Sequence, residues 1–132
     1  NISPASIVGL PENKIQNVTL KNIHLVYPGN GNPLYAKRGL TPAELESVPQ
    51  MRDAYPEFSQ FKELPAWAFY VRHAEGIHFE NVTFTANKKD YRPAVVLDDV
   101  QNASFKSFVV QEPESAGKQQ VFPYKSSAIQ LN

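Results

Sequence analysis

The chain contains no cysteine, which removes disulfides, thiol nucleophiles and cysteine-based metal sites. Charge bias is missing too. Its 13 basic and 13 acidic residues balance to a formal net charge of zero, so no electrostatic footprint for nucleic acid or an anionic membrane surface is present. No apolar run approaches the ~18 residues of a membrane-spanning helix, and no signal-peptide pattern is visible, as in a mature or trimmed product. Nor is there a sustained 3.6-residue periodicity, and this excludes helical repeats. At 132 residues the chain has room for one domain that buries roughly two thirds of its unfolded surface.

What the chain does have is repetition. Three octets follow one template of two alternating apolar runs around a small polar residue. They are Val18-Thr19-Leu20-Lys21-Asn22-Ile23-His24-Leu25, Ile77-His78-Phe79-Glu80-Asn81-Val82-Thr83-Phe84 and Ala103-Ser104-Phe105-Lys106-Ser107-Phe108-Val109-Val110. In extended chain, alternation places the four apolar residues of each octet on one face if the central Asn or Ser makes a bend. A second block precedes each octet: Pro4-Ala5-Ser6-Ile7-Val8-Gly9-Leu10, Pro65-Ala66-Trp67-Ala68-Phe69-Tyr70-Val71 and Pro93-Ala94-Val95-Val96-Leu97, with Ala128-Ile129-Gln130-Leu131 as a final partial copy.

The spacings identify the repeat. Val71 and Leu97 lie 26 residues apart, Leu97 and Leu131 lie 34 apart, and Leu10 and Val71 lie 61 apart. A unit of 26 residues holding only short strands and bends fits one coil of a parallel β-helix, and the longest gap is one unit plus an insertion. A leucine-rich repeat would keep its Leu and Asn residues in a fixed frame, and this chain does not. The expected architecture is all-β: about three and a half coils of a single-stranded parallel β-helix over residues 1–132, with an insertion at 28–64 between the first and second coils. In-register stacking sets equivalent residues ~4.8 Å apart. It predicts inward columns Val18/Ile77/Ala103, Leu20/Phe79/Phe105, Ile23/Val82/Phe108 and Leu25/Phe84/Val110, a bend column Asn22/Asn81/Ser107 and an outward column Lys21/Glu80/Lys106 of alternating sign.

Within the insertion, Thr41-Pro42-Ala43-Glu44 has the form of a helix start, with Thr41 as N-cap, Pro42 in the first turn and Glu44 closing a capping box. Pro49 ends that helix near Ser47 or Val48. Tyr35, Tyr55, Phe58 and Phe61 accompany it; we read them as docking the excursion onto the coil, the alternative being a platform for sugar rings. Neither terminus carries a polar capping repeat, so the end coils are expected to meet missing N-terminal coils or to self-associate through open strand edges.

Arg72-His73 and Asp98-Asp99 form the most suggestive polar constellation. Both pairs directly follow aligned positions, so Arg72 is expected over Asp98 and His73 over Asp99. Two carboxyls beside an Arg and a His have the composition of an inverting glycosidase site; the structural reading, an inter-coil ion pair at a bend, is the one we take. Trp67 and Tyr70 add two rings suited to stacking on sugars, and Trp67, Tyr70, Arg72, His73, Asp98 and Asp99 together are the candidate carbohydrate-binding residues. Three matches to the N-glycosylation pattern, at Asn17, Asn81 and Asn102, follow from Asn at bends and Thr or Ser on strands. His24, His73 and His78 lack ligand spacing, so no metal site or cofactor is expected.

The phrases Pro65-Ala66-Trp67-Ala68-Phe69-Tyr70-Val71-Arg72-His73, Glu80-Asn81-Val82-Thr83-Phe84 and Tyr91-Arg92-Pro93-Ala94-Val95-Val96-Leu97-Asp98-Asp99-Val100 resemble the C-terminal coils of bacterial glycoside hydrolase family 28 proteins, the polygalacturonase and rhamnogalacturonan hydrolase group. Val8-Gly9-Leu10-Pro11-Glu12-Asn13, Tyr27-Pro28-Gly29 and Tyr55-Pro56-Glu57-Phe58 fit the same branch. The resemblance implies a right-handed parallel β-helix, a secreted or periplasmic bacterial location and a pectin-type polysaccharide partner. It implies no catalytic residue here. The family signatures Asn-Thr-Asp, Gly-His-Gly and Arg-Ile-Lys are absent, and Asp98-Asp99 follows Leu97 with no preceding Gly. Three roles are thus open: scaffold and groove wall of a pectin-active hydrolase, a carbohydrate-binding module, or a self-assembling structural solenoid.

Overall fold

The computed structural model describes residues 5–29, 42–46, 65–114 and 118–131. Their architecture is all-β with one parallel sheet. The elements run β1 (Ala5–Val8), β2 (Ile15–Gly29), α1 (Pro42–Glu46), β3 (Phe69–Lys88), β4 (Val95–Gln111), β5 (Val121–Tyr124) and β6 (Ser127–Leu131). They stack as four rungs: β1 with β2, then β3, then β4, then β5 with β6. β1 and β2 both pair with β3, β3 pairs with β4, and β4 pairs with both β5 and β6, every pairing parallel.

The register reproduces the expected columns. Val18 pairs with Ile77 and Ile77 with Ala103; Leu20, Phe79 and Phe105 align, as do Ile23, Val82 and Phe108, and Leu25, Phe84 and Val110. Their side chains, with Phe69, Val71, Val95 and Leu97 from the preceding block, belong to a single apolar cluster. Stacking also orders the aromatic rings. Phe79 and Phe105 lie face to face, 4.7 Å between centroids and 5° from parallel, while Phe69 meets Phe79 edge-on at 5.4 Å.

Two alignments are corrected. Leu97 pairs with Pro123 and Phe105 with Leu131, so the fourth copy of the first block is Val121-Phe122-Pro123-Tyr124, and Ala128–Leu131 is a copy of the octet. The 26-residue pitch is thereby constant over the last three rungs. Pro123 disguises the strand, since proline is tolerated only at strand edges. At the other end Ile7, not Leu10, pairs with Val71, because Leu10–Asn13 is a turn closed by reciprocal backbone hydrogen bonds.

Single residues in the left-handed region turn the strands. The expected bends at Asn22, Asn81 and Ser107 have φ of 57°, 51° and 50°, and Asn81 Nδ2 donates to Asn22 Oδ1 at 2.7 Å. Two more bend columns exist. Asn17, Gly76, Asn102 and Ala128 form one, and His73, Asp99 and Lys125 another, all with positive φ. Left-handed geometry costs a residue with a Cβ about 1–2 kcal/mol, least for Asn and Asp. Residue choice follows that cost in most positions, and Ala128 and Lys125 bear it in full. Gly9 stands where His73 stands one rung on, and a Cβ there would meet the His73 carbonyl oxygen at 2.4 Å.

A buried polar network fixes the return turns between rungs. Arg92 donates through Nε and Nη2 to both oxygens of Asp90, at 2.9 and 3.0 Å. The enclosed Glu112 carboxylate accepts from the Asp90 amide at 2.9 Å, from Lys118 Nζ at 2.7 Å and from Gln120 Nε2 at 2.9 Å. Charges taken out of water persist only when satisfied in this way.

Of the insertion, α1 is described over Pro42–Glu46, at the expected start; the expected end at Ser47 or Val48 lies outside the described residues. Thr41, Tyr35, Tyr55, Phe58 and Phe61 lie outside the described residues. Among the described residues no helix is long and apolar enough to cross a membrane.

Phe79 is fully buried within the stacked column. Replacing it with Ala is expected to cost ~3–5 kcal/mol by leaving a cavity between rungs. The outward, exposed Val26→Thr is expected to stay within ~0.5 kcal/mol. Urea denaturation of both variants measures the contrast.

Candidate functional site

The strand at the start of each rung has two faces. Inward residues join the core, and outward residues Val8, Tyr70, Val96, Phe122 and Tyr124 form a second apolar cluster with Ala66 and Leu45. Leu45 comes from α1 and is fully enclosed, so α1 sits against the outside of this strand column. Beside Leu45, Glu46 Oε1 accepts from Lys125 Nζ at 2.6 Å. Lys125 also lies 5.5 Å from the centre of the Tyr124 ring.

The expected polar pairs form. Arg72 and Asp98 face each other across adjacent rungs at 3.2 Å, each side chain only 4% exposed. His73 Nδ1 donates to Asp99 Oδ2 at 2.7 Å. Positive φ at His73 and Asp99 makes them the corner itself, so Asp98 points out of the strand face and Asp99 lies on the turn. Lys14 joins the corner, 3.4 Å from Asp99 Oδ1, and donates to Gln101 at 2.7 Å; Gln101 Nε2 in turn donates to Asp99 Oδ1 at 3.2 Å.

These surroundings push the two neighbouring carboxyls apart. Burial raises Asp98, with Asp99 and Glu46 adding repulsion, and the opposing pull of Arg72 and His73 does not cancel it. Burial acts on Asp99 in the same sense, but hydrogen bonds from His73 and Gln101 and the charge of Lys14 outweigh it, and Asp99 is lowered. Divergent carboxyls resemble an acid and base pair, yet here each is occupied by an inter-rung partner.

Both aromatic candidates are enclosed. Trp67 and Tyr70 are 0% exposed and belong to different clusters, Trp67 to the inner core and Tyr70 to the outer one. Trp67 meets Tyr27 edge-on at 5.6 Å, and its Nε1 has no hydrogen-bond partner, so packing alone holds the ring. Trp67 and Tyr70 thus lie in different clusters, and neither ring is exposed as a stacking face for a sugar. The outward histidines are used between rungs. His78 Nδ1 and Ser104 Oγ are hydrogen-bonded at 2.7 Å, and His24 Nε2 reaches Thr85 Oγ1 at 3.1 Å. Among the described residues no three His, Cys, Asp or Glu side chains gather as a metal-ligand set.

Sequence reasoning missed Lys125, Glu46, Lys14 and Gln101. A constant 26-residue step from Asp99 leads to Lys125, so the shifted fourth rung hid it. Lys14 lies in the irregular segment between β1 and β2 and carries no periodic signal. Compared with models of known protein families, with curated proteins and with solved structures, the chain shows no match.

Two measurements probe the corner. Arg72→Met is expected to cost ~3–5 kcal/mol by leaving the Asp98 carboxyl buried without its cation, whereas Arg72→Met with Asp98→Leu is expected to be neutral or stabilising. The pH profiles should run in opposite senses. Asp98 has a raised folded pKa, so its contribution is full below about pH 4, the unfolded value, and fades as pH rises through the folded value. Asp99 has a lowered folded pKa, so its contribution is full above about pH 4 and fades as pH falls below it. Urea stabilities of wild type, Asp98→Asn and Asp99→Asn from acid to neutral pH read both slopes.

Proposed function

We propose that the chain is a right-handed parallel β-helix segment that serves as scaffold and groove wall of a pectin-active glycoside hydrolase, with no catalytic residue of its own. The coil reading is supported by the shared core. Inward residues of the first block and of the octet pack into one cluster, and each return turn brings the chain onto the same ladder one rung further along. The hand follows from the strong preference of parallel strand connections for right-handed crossovers. The phrases shared with family 28 supply the substrate class and the secreted or periplasmic bacterial setting.

One observation carries the scaffold assignment: the polar groups best suited to chemistry are spent on holding rungs together. Arg72 and Asp98 are sealed in a mutual pair, and Asp99 is engaged by His73, Gln101 and Lys14. The buried aromatic rings weigh against the binding-module reading.

Reducing-end assays of the isolated chain on polygalacturonate and rhamnogalacturonan are expected to show no turnover above background. Robust hydrolysis of either polymer overturns the scaffold assignment.

A further inference from the structure

We infer that the outer edge of β5 is built to refuse a further strand, and that Pro123 and Gln119 keep copies of this chain from adding head to tail through it. The inference does not rest on the function proposed above. A stack of like rungs carries this hazard by construction. Its two edges lie in one parallel frame, and a head-to-tail contact that does not close repeats into a filament. Among the described residues β1 pairs with β3 alone and β5 with β4 alone, so each of these strands has a second edge.

Hydrogen-bond direction shows which groups lie on the second edge of β5. The Val95 amide donates to the Gln120 carbonyl at 2.9 Å, and Val95 is in register with Val121. Successive residues of a parallel strand bond to opposite neighbours, so Gln120, Phe122 and Tyr124 face β4 while Val121 and Pro123 face away. An added strand would look for the N–H and C=O of those two residues. Two of the four groups are withdrawn. Pro123 has no N–H, and the Val121 carbonyl accepts from Gln119 Nε2 at 3.0 Å. The equivalents of Pro123 in the two preceding rungs, Val71 and Leu97, each have a partner on both sides. Proline stands only in the rung whose outer side is exposed, as its missing donor requires. β1 carries no such device. Its Ala5 amide donates to the Ala68 carbonyl and the Gly9 amide to the Arg72 carbonyl, so Ser6 and Val8 face away from β3 with their N–H groups intact. β1 of a second copy is therefore the strand that β5 would template if Pro123 and Gln119 did not prevent it.

Sedimentation equilibrium of the whole chain tests this. Pro123→Thr restores the missing N–H with a residue suited to strands, and Gln119→Ala frees the Val121 carbonyl from an exposed side chain. An added strand that leaves one of its carbonyls without a donor bears the full desolvation penalty of that group. Restoring the N–H is therefore expected to tighten self-association at least tenfold over wild type, and Gln119→Ala alone to tighten it several-fold. Both substitutions together are expected to give filaments in electron micrographs. Adding Ser6→Pro, which removes a donor from the outer edge of β1 and no bond to β3, is expected to return the double variant to the wild-type mass. Unchanged association in both single variants overturns the inference, as does wild type that already forms filaments. Association that survives Ser6→Pro overturns β1 as the strand refused. None of these results touches the scaffold assignment, which the turnover assay decides separately.

Discussion

Parallel in-register pairing is the constraint on which this molecule depends. Once β3 pairs with β4 over most of their length, every side chain sits directly above its equivalent, and the sequence must satisfy like against like at each position. Apolar columns become a dry interior, amides become a hydrogen-bonded file at Asn22 and Asn81, and charges must alternate or find partners. Lys21 and Glu80, 3.9 Å apart on the surface, satisfy the rule weakly. Arg72 and Asp98 satisfy it under burial, where a mismatch would leave an uncompensated charge.

Much of this was legible from residue order because the pattern has two simple periods. Alternation told which residues of each octet face inward, and the 26-residue pitch told which residues share a column. Phe79 over Phe105 and Arg72 over Asp98 needed nothing more. Legibility failed where the local signal was ambiguous. Ala128–Leu131 resembles the first block in residue type, and only the position of Pro123 in a true strand reveals the shift. The extra bends at Asn17, Gly76 and Asn102 had a readable signal in Asn and Gly one residue before each octet. Those at His73 and Asp99 had a weaker one, since both types tolerate positive φ, and at Lys125 stacking imposes the corner against local preference.

The candidate site was read in part for the same reason. Its four polar members Arg72, His73, Asp98 and Asp99 lie on the periodic framework, so their pairing could be anticipated. The place of Leu45 could not be. Leu45 reaches the outer cluster from a non-repeating excursion, and no period links residue 45 to Tyr70 or Val96. A ring that alternation sends outward can still be enclosed, as Tyr70 is.

The one-residue corners also bear on how such a chain can change in length over evolution. Along β3 and β4 most residues between bends have a partner on the neighbouring rung, and inward and outward positions alternate there. An extra residue inserted there, after Thr83 for instance, would turn the aromatic ring that follows toward water and displace every downstream neighbour by one step. The hairpin-like detour at Leu10–Asn13 leaves the ladder and rejoins it in frame, and β2 and β3 hold one register on either side of the stretch carrying α1. Additions and losses in a lineage of such chains should therefore gather at these exits, while the straight segments keep their length and change only in composition.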